Sequence, residues 1–229
     1  MIDREQYQEQ LLASATVVSA FSAALILVST LRSSSLLALF AYHPVSMSIA
    51  FLVCYPWGIR LAHAARAADG SARVTLLDRH MTTQLAALGL SVVGFAAIYA
   101  NKAVNGKVHF TSLHGKLGLV TMLLALGVVV SGGLGFKRYS PLPGHWHPSV
   151  KWMHRSLGVG MWAVALVTMV VVLPHPAVVA GFWARAAQLG VVGLGVLMVM
   201  ALREKGGGGK GVPIVDFTLV PREQKRTSY

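Results

Sequence analysis

Hydrophobic and polar positions along this chain fall into long blocks. Six apolar runs, each nearly free of charge, are separated by shorter basic, proline-rich or glycine-rich segments. A run of about 20 apolar residues, at about 1.5 Å per residue, crosses a hydrocarbon core about 30 Å thick, so each block predicts a membrane-spanning helix. The first span is expected from Leu11 to Leu31, the second from Tyr42 to Leu61 and the third from Leu76 to Asn101. The fourth runs from His114 to the glycines Gly132, Gly133 and Gly135. The fifth runs from Trp152 to Pro174, and the sixth from Phe182 to Leu202. Pro44 is expected in the first turn of the second span, with His43 at its very beginning, and Pro56 is expected to kink its far end. Arg60 to Arg79, with its Asp-Gly turn, reads as a loop, as do Lys102 to Ser112 and Lys137 to Lys151. The domain reading is a polar N-terminus over 1–10, a six-helix membrane domain over 11–203, and a flexible, basic, glycine-rich tail over 204–229.

Composition makes this an all-α integral membrane protein. Hydrophobic residues are 55% of the 229, charged residues 12%, and mean hydropathy is +0.60, whereas soluble domains carry about 25% charged residues. The formal charge of +12 does not point to nucleic acid, because the basic residues lie between apolar runs and in the tail rather than on one water-exposed face. A single Cys54 excludes an internal disulfide framework. Arg4 is outweighed by Asp3, Glu5 and Glu9, so the first run reads as an uncleaved span rather than a signal peptide. Six spans put both ends on one side. Of the 20 Lys and Arg, only Arg32, Lys102, Lys107, Lys116 and Arg185 fall on the other side, so both termini are expected in the cytoplasm. The tail would then face anionic lipid.

Polar side chains inside spans are costly and usually functional. His43, His80, His114 and His154 open the second to fifth spans, alternately at the outer and inner surface, and are 37, 34 and 40 residues apart. His114 and His154 share the pattern His-x-x-Leu-Gly, in which Gly118 and Gly158 lie one helical turn from the imidazole and clear space beside it. Pairing by depth joins His43 with His114 and His80 with His154, on alternate helices that face each other diagonally across a bundle. Two facing imidazoles without thiolate or carboxylate suit haem iron better than zinc, which takes four ligands. The fold expected is therefore six spans, with the second to fifth forming a four-helix core around two b haems. Both axial positions of each iron would be filled, which favours one-electron transfer. Arg79, Lys151 and Arg155 stand where they could meet inner haem propionates, and Lys107 and Lys116 outer ones.

His43-Pro44-Val45-x-Met47-Ser48-x-Ala50-Phe51, Arg79-His80 with Gln84, His109 ahead of His114-Gly115, and His154 with Gly158 together resemble the eukaryotic cytochrome b561 family. The likeness covers the second to fifth spans, and is nearest to the short cytochrome b561 domain-containing branch. It implies a homodimeric six-helix protein with two haem b that moves electrons from cytosolic ascorbate across the membrane to ferric iron or monodehydroascorbate. It further implies that Arg73, Arg79, Arg66 and Lys137 hold ascorbate at the inner surface, and that His109, with Lys107 beside it, lies at the outer acceptor site. The ascorbate-specific members carry an aromatic and basic motif after the second span and a tryptophan soon after the fourth-span histidine. This chain has Gly58-Ile59-Arg60-Leu61-Ala62-His63 and Gly115-Lys116 there. An endomembrane or plasma-membrane location fits the likeness.

The other histidines, His63, His145, His147 and His175, read as loop residues. Phe51, Met122 and Trp162 are candidates to line the haem pockets. A membrane di-iron enzyme is disfavoured because its histidines cluster within a few residues. A six-helix transporter or channel remains the main rival class, since Gly89, Gly94, Gly127 and Gly193 would serve close helix packing in either case. A haem subunit that serves a partner reductase is the other.

Overall fold

The computed structural model describes residues 4–33, 38–135, 143, 146–173 and 181–203. These form α1 (Arg4–Ser33), α2 (Leu39–Ser48), a π-helical segment (Ile49–Cys54), α3 (Tyr55–Ala64), α4 (Gly70–Val104), α5 (Leu113–Gly135), α6 (His147–Val172) and α7 (Gly181–Arg203). With α2, the π segment and α3 running on as one rod, the described residues hold six helices long and apolar enough to cross a membrane. The chain is a multi-pass, all-helical membrane protein. Lys137, His145, His175 and the tail lie outside the described residues.

Several helices start earlier than the apolar runs alone predict, and each has a local reason. Glu5, Gln6, Gln8 and Glu9 are good helix formers, so α1 takes in the polar start from Arg4. The Asp-Gly turn is real, with Gly70 at φ +56°. The expected Arg60–Arg79 loop nevertheless shrinks to a few residues, because α4 begins at Gly70. Thr75 and Thr82 return their hydroxyls to Ser71 O and Asp78 O, so these polar side chains find partners within α4 itself. Pro148 sits in the first turn of α6, which starts at His147. Leu39 to Ala41 add a turn ahead of His43, so Pro44 falls inside α2 instead of opening it. His43 is therefore one turn into its helix and His80 about three turns into α4, deeper than the sequence placed them.

The kink expected from Pro56 takes the form of the π segment just before it. There the Tyr55 N–H bonds Ala50 O, five residues back. Pro56 has no N–H to give to Phe51 O, the next acceptor in that register. The indole of Trp162 on α6 supplies the missing donor, with Nε1–H bonding Phe51 O at 2.9 Å. Phe51 and Trp162 are both buried.

Helices pack mainly as three neighbouring pairs, α2/α3 with α4, α5 with α6, and α1 with α7. The deepest apolar residues include Ile26, Leu52, Met161, Val191, Leu194 and Met198. The core thus extends from the second and fifth spans into α1 and α7. Consecutive helices α4 and α5 scarcely touch. The outward rows, such as Val17, Val92, Leu123, Val167 and Leu189, are exposed and apolar, as a lipid-facing surface must be.

Close approach of α1 to α7 depends on Gly190. A Cβ there would fall on Ser22 Oγ, and that hydroxyl is held in place by its bond to Val18 O at 2.8 Å. Gly190→Ala should therefore destabilise the protein by about 1–3 kcal/mol, as overpacking does. Thermal unfolding in detergent would measure the loss, and adding Ser22→Ala should recover much of it.

Candidate functional site: two facing histidine pairs

Each of the four span histidines is fixed by the same device. His43 Nδ1–H donates to Gly94 O at 3.0 Å and His80 Nδ1–H to Gly58 O at 2.8 Å. His114 Nδ1–H donates to Thr168 O and His154 Nδ1–H to Val128 O, both at 3.0 Å. A carbonyl only accepts, so in every case Nδ1 carries the proton and Nε2 carries the lone pair. A backbone bond of this kind also fixes the ring plane, as it does for histidines that bind metals.

The rings meet in pairs across the interior. His43 and His114 have centroids 6.0 Å apart with ring planes at 85°. His80 and His154 are 6.2 Å apart at 89°. Two metal–nitrogen bonds of about 2 Å each and two ring radii add up to such a separation. The members of each pair sit on alternate spans, so each pair bridges the seam between the α2/α3–α4 unit and the α5–α6 unit.

Glycines decide how closely the rings are held. A Cβ at Gly94 would come 3.2 Å from Met47 and 3.3 Å from His43 O, so this glycine lets α4 approach α2 and present its carbonyl to His43. At Gly58 a Cβ would meet Gln84 Nε2 at 2.6 Å. A Cβ at Gly132 on α5 would come 3.0 Å from His154 Cε1 and 3.2 Å from Nδ1. The glycine that makes room for the His154 ring is thus Gly132, across the helix interface. Gly158, one turn along the same helix, has only Val128 at ordinary contact distance. Gly118 does border the space beside His114.

An apolar cavity of about 300 Å³ opens beside His43 and His114, bordered by Met47, Phe51, Met122 and Gly118. Phe51 and Met122 line it as expected, whereas Trp162 is buried between helices. Toward the end of α4 the cavity meets Tyr99, Lys102, His109 and Phe110. His109 stacks on Tyr99 at 4.0 Å and 15°, and Phe110 stacks on Phe95 at 6.2 Å and 19°. Phe110 has φ +55°, a conformation that costs about 1–3 kcal/mol and clusters at functional sites. It turns two successive rings onto α4. Lys107 and Lys116 are exposed and outside this lining. Lys102, which the sequence reading passed over, lines it and gives Nζ–H to Val108 O at 3.2 Å. A lysine one turn after a span-end tyrosine was the available signal.

At the other end, Arg79 and Arg155 flank His80 and His154, and Lys151 is one turn before Arg155 on α6. All three are exposed. Arg73 Nη1–H donates to Ala65 O at 2.9 Å, tying α4 to the end of α3. Arg66 is held below the usual guanidinium range, first by partial burial and then by the positive charge of Arg155. Two guanidinium groups that raise each other's energy are suited to an anion between them.

Among the described residues no group of three or more His, Cys, Asp or Glu side chains could hold a metal ion. Two Nε2 lone pairs facing each other therefore fit a metal that brings its own in-plane ligands, which is what haem does. Fold and site together define a six-span membrane protein with two facing histidine pairs in its interior. Residues 42–178 match the eukaryotic cytochrome b561 family, and the chain belongs to that family, whose members bind haem b. It is similar to proteins named Transmembrane reductase CYB561D2. Identity is 33% over 129 residues for the proteins of Bos taurus and Homo sapiens, and 31% over 122 residues for that of Mus musculus. Each match covers 53% of this chain and 54% of the relative, so the chain spans about half the length of the relatives it matches.

Gly132→Val should turn the His154 ring from Val128 O, because its Cβ would already crowd the imidazole. The outcome expected is a reduced haem-to-protein ratio in the reduced-minus-oxidised visible spectrum, while Gly133→Val, which meets nothing within 4 Å, leaves it unchanged.

Proposed function

We propose that this protein carries electrons across a membrane, from cytosolic ascorbate to ferric iron or monodehydroascorbate on the far side. The single observation that carries this reading is the pair of facing histidine couples, each ring turned by a backbone carbonyl so that its Nε2 bears the lone pair. In this reading His43 and His114 hold one haem b near the outer surface, and His80 and His154 hold another near the inner surface. When bound, each haem would supply a one-electron iron couple. The family match, and the words transmembrane reductase in the relatives' names, support it.

The protein's own groups then divide the work. Arg66 and Arg155, whose charges oppose each other, gain when anionic ascorbate docks between them, and Arg73 and Arg79 extend the same positive surface. Lys151 and Arg155 neutralise inner propionates, and Lys116 outer ones. At the far end His109, stacked on Tyr99, meets the acceptor with Lys102 beside it, and Lys107 adds charge at the rim. The apolar cavity walls keep water from His43 and His114. Both termini lie in the cytoplasm, in an endomembrane or the plasma membrane, and two copies form a homodimer.

Spectra and reduction kinetics test this directly. Purified protein should carry two haems per chain, and His43→Ala and His80→Ala should each lose one, with different spectral components missing. A colourless protein, or the same component lost in both variants, would end this reading. Arg66→Gln and Arg73→Ala should slow reduction by ascorbate while leaving reduction by dithionite unchanged. Equal slowing with both reductants would move the donor site elsewhere.

A further inference from the structure

We infer that Trp162 is the residue that couples the two histidine pairs across the middle of the membrane, through its indole hydrogen bond to the Phe51 carbonyl. This inference rests on the two-site electron-transfer reading above. Phe51 follows His43 by eight residues and Trp162 follows His154 by eight residues. At 1.5 Å per residue each lies about 12 Å along its helix from its histidine. The second and fifth spans run in opposite directions, so those two steps start at opposite ends and meet in the middle.

The inter-helix hydrogen bonds give this meeting point its weight. His43 to Gly94 and His80 to Gly58 join the second span to the third. His114 to Thr168 and His154 to Val128 join the fourth to the fifth. Each histidine pair, however, has one member in either unit. Of the bonds named here, Trp162 to Phe51 is the one that crosses from one unit to the other. Elsewhere along that seam α4 and α5 scarcely touch.

The bond occupies a position that the sequence of the second span leaves open. Pro56 removes the backbone donor that Phe51 O would have in the π register, and Tyr55 N–H is already given to Ala50 O. The acceptor is buried, so without the indole it would be an unpaired polar group in an apolar medium. On the receiving side, the Phe51 ring borders the cavity shared by His43 and His114 and stacks on Tyr55 at 4.9 Å. A path from His154 along α6 to Trp162, over the hydrogen bond and into Phe51 thus stays within bonded contacts, and electronic coupling decays less through such contacts than through a gap. One electron leaves the inner site and one arrives at the outer site. The indole acts as a bridge and is not itself oxidised.

The test uses the haem-loaded wild type, Trp162→Phe, Trp162→Leu and the double variant Pro56→Ala/Trp162→Phe in lipid nanodiscs. Haem content, both midpoint potentials, thermal midpoint, and the rate at which the outer site is reduced after mixing with ascorbate are measured. Trp162→Phe and Trp162→Leu are expected to keep both haems and both potentials and to reduce the outer site several-fold more slowly than wild type. Trp162→Phe should also lower the thermal midpoint, and the double variant, in which a backbone N–H can again reach Phe51 O, should recover stability but not rate. Unchanged crossing rates with both haems intact would overturn the inference and leave the proposed function standing. If Trp162→Phe loses haem, the double variant carries the test. Recovered haem with slow crossing supports the inference, whereas recovered haem with wild-type crossing, or haem not recovered, overturns it. Wild-type protein without haem would instead overturn the proposed function.

Discussion

Four hydrogen bonds from imidazole Nδ1–H to backbone carbonyls are the interactions on which the rest of this structure depends. An imidazole inside an apolar span needs a partner for its N–H, because water is not there to provide one. The partners come from the neighbouring helix, so each bond also fixes a helix–helix distance. Two of the carbonyls belong to Gly94 and Gly58, where a side chain would push the helices apart. The same bond sets the tautomer, and the tautomer sets which nitrogen faces the opposite ring. Packing, protonation state and ligand geometry are therefore one constraint.

That constraint explains an unusual distribution of close packing. Tight apolar contacts gather where α1, α6, α7 and the π segment meet, with Leu52, Met161, Val191 and Leu194 almost fully buried. Along the seam between α4 and α5 the contact is slight, and the two histidine pairs lie across that seam. The two outermost spans thus supply a large share of the stability that a cofactor-binding interior gives up. Trp162 is where these two regions meet, being part of the buried core and bonded to the rod that carries His43.

Much of this was legible in the chain itself. The six spans follow from run length, since a helix must be long enough to cross the hydrocarbon and nearly free of charge. The pairing of His43 with His114 and His80 with His154 followed from alternation of depth, and the structure brings those rings together. The boundaries were less legible. Polar residues in the first turns of α1 and α4 are compatible with helix, through good helix formers in α1 and hydroxyls partnered within the helix in α4, so an apolar-run criterion starts these helices too late. Gly158 was assigned a clearance role by its spacing from His154, but the glycine that stands against the His154 ring itself, Gly132, is on another helix and has no spacing that marks it. Lys107 drew attention because it stood near His109, yet Lys102 lines the cavity, since the end of α4 turns that side chain toward it.

By itself, the sequence determined what can be counted along one chain: the number of spans, the residue types too polar for lipid, the alternation of the histidines between opposite ends of successive spans, and the proline that withholds one backbone donor from the second span. Those are consequences of bilayer thickness, helix rise and covalent structure. Only the tertiary structure decided which carbonyl receives each imidazole, which glycine stands against which ring, and which side chain takes Phe51 O. Every residue carries a carbonyl and many helices carry a glycine, so sequence cannot choose among them. The choice is made by how the spans rotate about their own axes and slide past one another, a property of six helices packed together.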